Sequence, residues 1–151
     1  MAGQGHDWPD VQILKANGLP VVTTHNYDAL FRMLKVGRFD YLPRSILEVD
    51  AELAEDRHPE LKVVPDLMLR YPAAAYLFVS PNQAALADDL ARGMRLAADD
   101  GSFQALFRSY FGQLLEAHVV QPSRVLQLKN PDNSVKIDSS ELLLQPGALG
   151  R

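Results

Sequence analysis

The sequence predicts an α/β protein in which a central sheet is flanked by helices, followed by a helical pair and an extended tail. Segments with helical apolar spacing alternate with short apolar runs through Val79, the pattern typical of helices layered on a sheet. Two longer helical segments follow Ser80. Beyond His118 the helical period is lost and prolines recur. The predicted divisions are therefore 1–80, 81–118 and 119–151.

The first predicted helix comes directly after Gly3-Gln4-Gly5. Asp7 is a good N-cap for it, Pro9 fits its first turn, and Asn17-Gly18 supplies a left-handed stop. A short buried strand is then predicted from Leu19 to Thr24.

A second helix is predicted from Asn26 to Val36, ended by Gly37. A strand from Phe39 to Leu42 follows, and Pro43 closes it. The spacing of Ile46, Val49 and Leu53 among acidic residues predicts a third helix that runs to about Glu55.

The apolar runs Leu61 to Val64 and Leu67 to Val79 predict short strands broken by prolines. Helical spacing then predicts a helix from Gln83 to Ala98 and a last helix capped by Ser102. That last helix carries the most apolar stripe of the chain: Phe103, Leu106, Phe107, Tyr110, Phe111 and Leu114. A stripe of this size needs a cover, so we expect self-association or a tail that folds across it from Val119 onward.

Composition narrows the classes of function. A net charge of -4 gives no general attraction for nucleic acid or an anionic membrane. The longest apolar run, Ala73 to Val79, is far shorter than the ~20 residues that cross a bilayer. Without cysteine there is no disulfide or thiolate site, and the four histidines are too scattered to predict a metal site. The sequence predicts no cofactor and no catalytic set.

Two features point to a small-ligand site. Gly3-Gln4-Gly5 before a capped helix predicts an anion cradle of backbone N–H groups, and a plain glycine-rich turn is the alternative. Arg44 leaves a predicted strand at the carboxyl end, where ligands of α/β sheets bind; a surface arginine is the alternative. Trp8, in the first helical turn, serves packing or lines the mouth of the cleft.

Three motifs occur in an order that resembles a known family. They are Gly3-Gln4-Gly5 before a helix, the segment ALFRMLKVGRFD from Ala29 to Asp40, and the closing helices up to Gly112 with Asp100-Gly101-Ser102-Phe103. On these motifs the chain resembles the extracytoplasmic solute-binding proteins of polar amino-acid transporters (family 3, periplasmic binding protein type 2). The resemblance covers the chain from its start to about Gly112.

The resemblance implies a two-lobed receptor that closes on a small polar solute and delivers it to an ABC transporter permease. By this comparison the chain is a piece that covers the second lobe and the C-terminal return. The helices after Ser80 would pack on the first lobe, which lies outside this sequence. A periplasmic location is implied by the resemblance, although no signal peptide is present in this chain.

The resemblance also implies which residues bind the solute. Ser or Thr usually follows the cradle in the family and binds the ligand carboxylate, and His6 and Asp7 stand there in this chain. The ammonium-binding Asp of the family is replaced by Pro43-Arg44-Ser45, where Arg44 favours an anionic or carbonyl-bearing solute. Asp40 matches a structural position. The expected ligand-binding residues are Gly5, His6, Asp7, Trp8, Arg44 and Ser45.

Two alternatives use the same scaffold. One is an enzyme similar to the cyclohexadienyl dehydratases, with His6, Asp7 or Glu48 as the acid or base. The other is the ligand-sensing domain of a membrane signalling protein.

Overall fold

The computed structural model describes residues 1–54, 58–73, 75–119 and 124–132, with only the backbone described at His118 and Val119. The described residues form two compact units, 1–73 with 124–132, and 75–119. Small parallel sheets and helices make the protein mixed α/β. Beyond Val119, the predicted tail is described only over 124–132. The rest of the tail lies outside the described residues, and so do residues 55–57 and 74.

The first unit is built on β1 (Ala2–Gly5), which pairs in parallel with β2 (Val21–Thr24). On its other edge, β1 forms a parallel bridge between Ala2 and Tyr41. The Ala2 N–H donates to the Pro20 carbonyl at 2.8 Å, while the Gly3 N–H donates in the opposite direction to the Tyr41 carbonyl at 2.9 Å. The strand β1 is therefore the central one of three parallel segments.

This central strand is where the sequence prediction was wrong, because Gly3-Gln4-Gly5 forms a fully buried strand and not a turn. A Cβ atom on Gly3 would lie 2.2 Å from the ring of Phe39, and one on Gly5 would lie 2.5 Å from the ring of Trp8. Both glycines are thus required by aromatic rings that pack directly on the strand backbone. Between them, the buried Gln4 side chain donates to the Pro43 carbonyl at 3.1 Å.

Helix α1 spans Asp10–Ala16 and buries Val11, Ile13 and Leu14. Asp7 does not cap it, contrary to prediction: Pro9 occupies the N-cap position, and no side chain caps the helix. The cause is a turn in which the Trp8 N–H donates to the Gly5 carbonyl at 3.2 Å, so that helical geometry begins later.

Helix α2 spans Tyr27–Lys35 and confirms the predicted helix. The Asn26 side chain caps it by accepting from the Ala29 N–H at 2.9 Å. Its C-terminal end leads to Gly37, whose φ of 71° is the left-handed conformation that stops a helix. The stop predicted after α1 is confirmed in the same way, because Gly18 has a φ of 74°.

After α2 the chain is less regular than predicted. The predicted strand at 39–42 is reduced to the single bridge at Tyr41, although Phe39 is fully buried. Helix α3 spans only Val49–Leu53, because residues 45–48 form a turn in which the Leu47 N–H donates to the Ser45 hydroxyl at 3.2 Å.

A second sheet pairs β3 (Leu67–Arg70) in parallel with β4 (Arg124–Gln127). The predicted strands at 61–64 and 75–79 do not form; a run of apolar residues needs a partner strand, and none pairs with them among the described residues. The amide of Asn17 anchors the segment after β4 to α1, donating to the Lys129 carbonyl at 2.7 Å and accepting from its N–H at 2.9 Å.

The second unit contains α4 (Ala84–Asp99) and α5 (Ser102–Val119), which confirm the two predicted helices. Ser102 is the first residue of α5 and not its cap; the Asp100 carboxylate accepts from the Ser102 N–H at 2.8 Å. In the described part of the chain no helix is long and apolar enough to span a membrane.

The predicted apolar stripe of α5 is incompletely covered in the chain taken alone. Leu106 is 58% exposed and Tyr110 is 75% exposed, while the rings of Phe107 and Phe111 lie 5.0 Å apart between centroids, tilted by 49°. Self-association through these helices, or cover by the tail from Val119 onward, stays a prediction.

The packing of Phe39 on β1 predicts the effect of adding one methyl group. Gly3→Ala should lower the free energy of unfolding by about 1–3 kcal/mol, because the ring cannot move away without leaving the core. In the double variant Gly3→Ala/Phe39→Leu the two losses should be less than additive. Urea unfolding followed by Trp8 fluorescence measures both. Gly93→Ala, on open helix surface, is the control and should not destabilise. Full additivity of the Gly3 and Phe39 changes would contradict this packing.

Candidate functional site

The three parallel segments of the first unit end at one edge of the sheet. β1 ends at Gly5, β2 ends at Thr24, and the chain beyond Tyr41 runs into Arg44. In the sheet, β1 lies between β2 and the Tyr41 segment. The chain therefore passes from β1 to the neighbour on one side, and later to the neighbour on the opposite side. Ligands of α/β sheets bind at such a switch point, outside the carboxyl ends of the strands.

A smaller cleft of about 130 Å³ lies at the ends of β1 and β2. The His6 and His25 rings approach to 4.2 Å between centroids, and His6 Nδ1 lies 3.1 Å from the Thr23 hydroxyl. Asp7 lies 3.8 Å from His25 Nδ1, and both side chains are largely exposed. The cleft is lined by Gly5, His6, Asp7, Trp8, Thr24, His25 and Tyr27.

The backbone here does not form the cradle predicted from a helix start. The His6 N–H donates to the Thr24 carbonyl at 3.0 Å, and the Trp8 N–H donates to the Gly5 carbonyl. Both donors are therefore engaged within the fold, and α1 begins only at Asp10. The polar groups that a ligand could contact at this edge are therefore mainly side chains.

A larger cleft of about 510 Å³ adjoins the smaller one at Tyr27, which lines both. Its charged groups are Arg44 and the carboxylates of Asp28, Glu48 and Glu52. An aromatic wall completes it, in which Phe31 and His58 stack at 4.3 Å between ring centroids. The full lining is Tyr27, Asp28, Phe31, Arg44, Leu47, Glu48, Ala51, Glu52 and His58.

Arg44 connects the two clefts. Its Cζ lies 4.5 Å from the centroid of the Trp8 ring and 5.8 Å from that of Tyr27, both within cation–π range. Its Nε donates to both Glu52 oxygens, at 2.9 and 2.8 Å, and its Nη2 donates to Glu52 Oε1 at 2.5 Å and to Glu48 Oε2 at 2.8 Å. The Tyr27 hydroxyl also donates to Glu52.

These contacts shift the pKa values of Tyr27, Glu52 and Arg44. Burial and the hydrogen bond to Glu52 raise the pKa of Tyr27 to about 12. Burial alone would raise the pKa of Glu52, but the hydrogen bonds from Arg44 and Tyr27 outweigh it and hold that pKa below its ordinary value. Burial opposes the charge on Arg44, and the contacts with Glu52 and Glu48 outweigh this effect, so its pKa is raised.

The predicted site residues are brought together only in part. Gly5, His6, Asp7 and Trp8 line the smaller cleft, and Arg44 contacts the Trp8 ring from the larger one. Ser45 lines neither cleft, and its hydroxyl instead accepts from the Leu47 N–H. The assignment of these residues to ligand binding stays a prediction.

Sequence reasoning missed several residues that line the two clefts, among them Thr24, His25, Tyr27 and Glu52. For Glu52 a signal existed, because Arg44, Glu48 and Glu52 are spaced four residues apart, as ion pairs on one helical face often are. The spacing of Tyr27 with Leu30 and Phe31 indicates an apolar helix face and gives no sign of a site. Across the described ranges, no group of three or more His, Asp or Glu side chains is placed to hold a metal ion.

Comparison with protein-family models, curated proteins and solved structures found no match to this chain. Function is therefore inferred from the geometry of the first unit and from the sequence motifs.

The two glutamates on Arg44 should differ in their effect on stability. Glu52→Gln should cost about 1–3 kcal/mol at pH 7, because its side chain is only 12% exposed and bonds a charged partner. Glu48→Gln should cost less than about 0.5 kcal/mol, since Glu48 is 53% exposed. Urea unfolding of the wild type and both variants gives these values.

The cost of Glu52→Gln should also depend on pH. A carboxyl whose folded pKa is lowered stabilises the fold above its ordinary value of 4.5, and this contribution is lost as the pH falls through the folded pKa. The difference between wild type and Glu52→Gln should therefore shrink below pH 4.5. A difference that stays constant down to pH 3 would contradict the ion pair.

Proposed function

We propose that the first unit binds a small polar solute through an anionic or carbonyl group, and that it does so as part of a solute-binding receptor for a membrane transporter. The observation that carries this proposal is the position of Arg44. Its guanidinium lies against Trp8 at the switch point between β1 and the Tyr41 segment, between two adjoining clefts.

The chemistry of Arg44 supports an anionic or carbonyl partner. A guanidinium forms charge-assisted hydrogen bonds with carboxylates, and a planar group stacked on an aromatic ring loses little freedom when it binds. The Trp8 ring and Glu52 hold the Arg44 side chain, which is 14% exposed, in one orientation. Because this side chain is already held in place, it loses less conformational entropy when a ligand binds.

The resemblance to family 3 solute-binding proteins supports the wider proposal. On that basis the first unit corresponds to a lobe of a type 2 periplasmic binding protein, the location is periplasmic, and the partner is an ABC transporter permease. Such receptors hold the solute between two lobes, so one lobe alone should bind weakly, at about millimolar concentration. The parallel sheet with Arg44 at its edge is compatible with this role.

The enzyme alternative receives less support from the geometry. Glu48 is paired with Arg44, and His6 and Asp7 are exposed to water. General acid–base catalysis favours groups that are held in a site that excludes water. The sensing alternative uses the same binding chemistry and differs only in the protein to which the receptor is joined.

Trp8 is the only tryptophan of the chain, so its fluorescence reports directly on the site. Titration with succinate, pyruvate and L-glutamate at constant ionic strength should give a saturable change with at least one of them in the wild type. Arg44→Lys, which keeps the charge but loses the fork geometry, should weaken that response about tenfold or more.

Arg38→Lys is the matched control, because Arg38 is exposed and lines neither cleft. It should respond as the wild type does. Circular dichroism confirms that each variant is folded. An equal response of Arg44→Lys and wild type would remove Arg44 from the site, and no saturable response to any of the three anions well above millimolar concentration would contradict the proposed function.

A further inference from the structure

The two carboxylates that contact Arg44 are held in different ways. Glu52 accepts from Nε with both oxygens, accepts from Nη2 with Oε1, and also accepts from the Tyr27 hydroxyl. Its side chain is 12% exposed, so its loss would leave a poorly solvated guanidinium edge. Glu52 therefore belongs to the permanent support of Arg44.

Glu48 makes a much weaker attachment. A single oxygen of Glu48 accepts from Nη2 at 2.8 Å, and the side chain is 53% exposed. Exposed ion pairs four residues apart typically contribute less than the thermal energy. Water can solvate the Glu48 carboxylate fully if it leaves Arg44.

Glu48 also lies on the cleft side of the guanidinium. Glu48, Glu52 and Arg44 all line the larger cleft; Trp8 covers a face of the guanidinium, and Glu52 takes its Nε edge together with one N–H of Nη2. A carboxylate that entered the larger cleft and bound the two Nη groups of Arg44 in the bidentate manner would need the Nη2 hydrogen that Glu48 accepts, since Glu52 keeps the other one.

We propose that Glu48 is an internal competitor: its carboxylate occupies the place on Arg44 that the anionic group of the solute takes on binding. The inference rests on the proposed function, because it concerns the same site. Binding then exchanges one carboxylate for another on Nη2, while Trp8 and Glu52 keep the guanidinium in place. The exchange lowers affinity for every anion by the strength of the Glu48 contact, and it excludes weak acceptors that cannot displace a carboxylate.

The test is to measure the dissociation constant for succinate by Trp8 fluorescence in wild type, Glu48→Gln, Glu48→Ala and Asp28→Asn. Asp28→Asn is the matched control, because Asp28 lines the same cleft and carries the same charge but does not contact Arg44. At about 0.15 M salt the screening length is about 8 Å. Charges that do not contact the bound anion then have little effect on the dissociation constant.

Removal of the competitor should lower the succinate dissociation constant about two- to five-fold in both Glu48 variants, the range expected for an exposed ion pair. Asp28→Asn should change it by much less. Equal tightening in Asp28→Asn would assign the effect to the overall charge of the cleft and overturn the inference. Unchanged binding in both Glu48 variants would overturn it as well.

The outcomes separate this inference from the proposed function. If the wild type binds succinate and Arg44→Lys does not, but the Glu48 variants bind as the wild type does, only the competitor role fails. If no protein in the set, wild type included, shows a saturable response to succinate, pyruvate or L-glutamate, the proposed anion site fails and the competitor role fails with it.

Discussion

The first unit depends on a stack of three groups at the carboxyl end of β1. The Trp8 ring lies against the backbone of Gly5 on one side, and the guanidinium of Arg44 lies over the ring. This contact requires glycine in the strand, because any Cβ atom at Gly5 would enter the space of the ring. It also joins the end of β1 to the segment after Tyr41, so that both clefts share one boundary.

Electrostatics determines what this stack can bind. Arg44 is only partly solvated, and such a cation is stable only when carboxylates or π faces replace its water. Glu52, which is largely buried and bonded to the Tyr27 hydroxyl, does this through several hydrogen bonds, and the more exposed Glu48 does so through one. The strong partners orient the guanidinium, and the weak one leaves a position that a solute can take.

Much of the architecture follows from local sequence signals. The helices α2, α4 and α5 were predicted because apolar spacing over several turns agrees with caps and stops such as Asn26 and Gly37. Such features involve residues close together in sequence. The position of Arg44 at the sheet edge could also be predicted, since it requires only strand polarity.

Features that depend on long-range contacts could not be predicted. Gly3-Gln4-Gly5 has no apolar side chain to mark it as a buried strand; its burial comes from Phe39 and Trp8, which the fold places on the glycines. The approach of His6 and His25 requires the register in which Gly5 lies opposite Thr24. Strand formation at Leu67–Arg70, and its absence at 61–64, depends likewise on a partner distant in the chain.

The central claim is that Arg44 and Trp8 form the contact point for an anionic solute at the end of β1. The most direct measurement is mapping of backbone amide chemical shifts by NMR during titration with succinate. The account predicts that the shifted amides cluster at residues 5–8, 24–27 and 44–48 and saturate together. Saturable shifts confined to α4 and α5, with residues 5–8 and 44–48 unchanged, would contradict it.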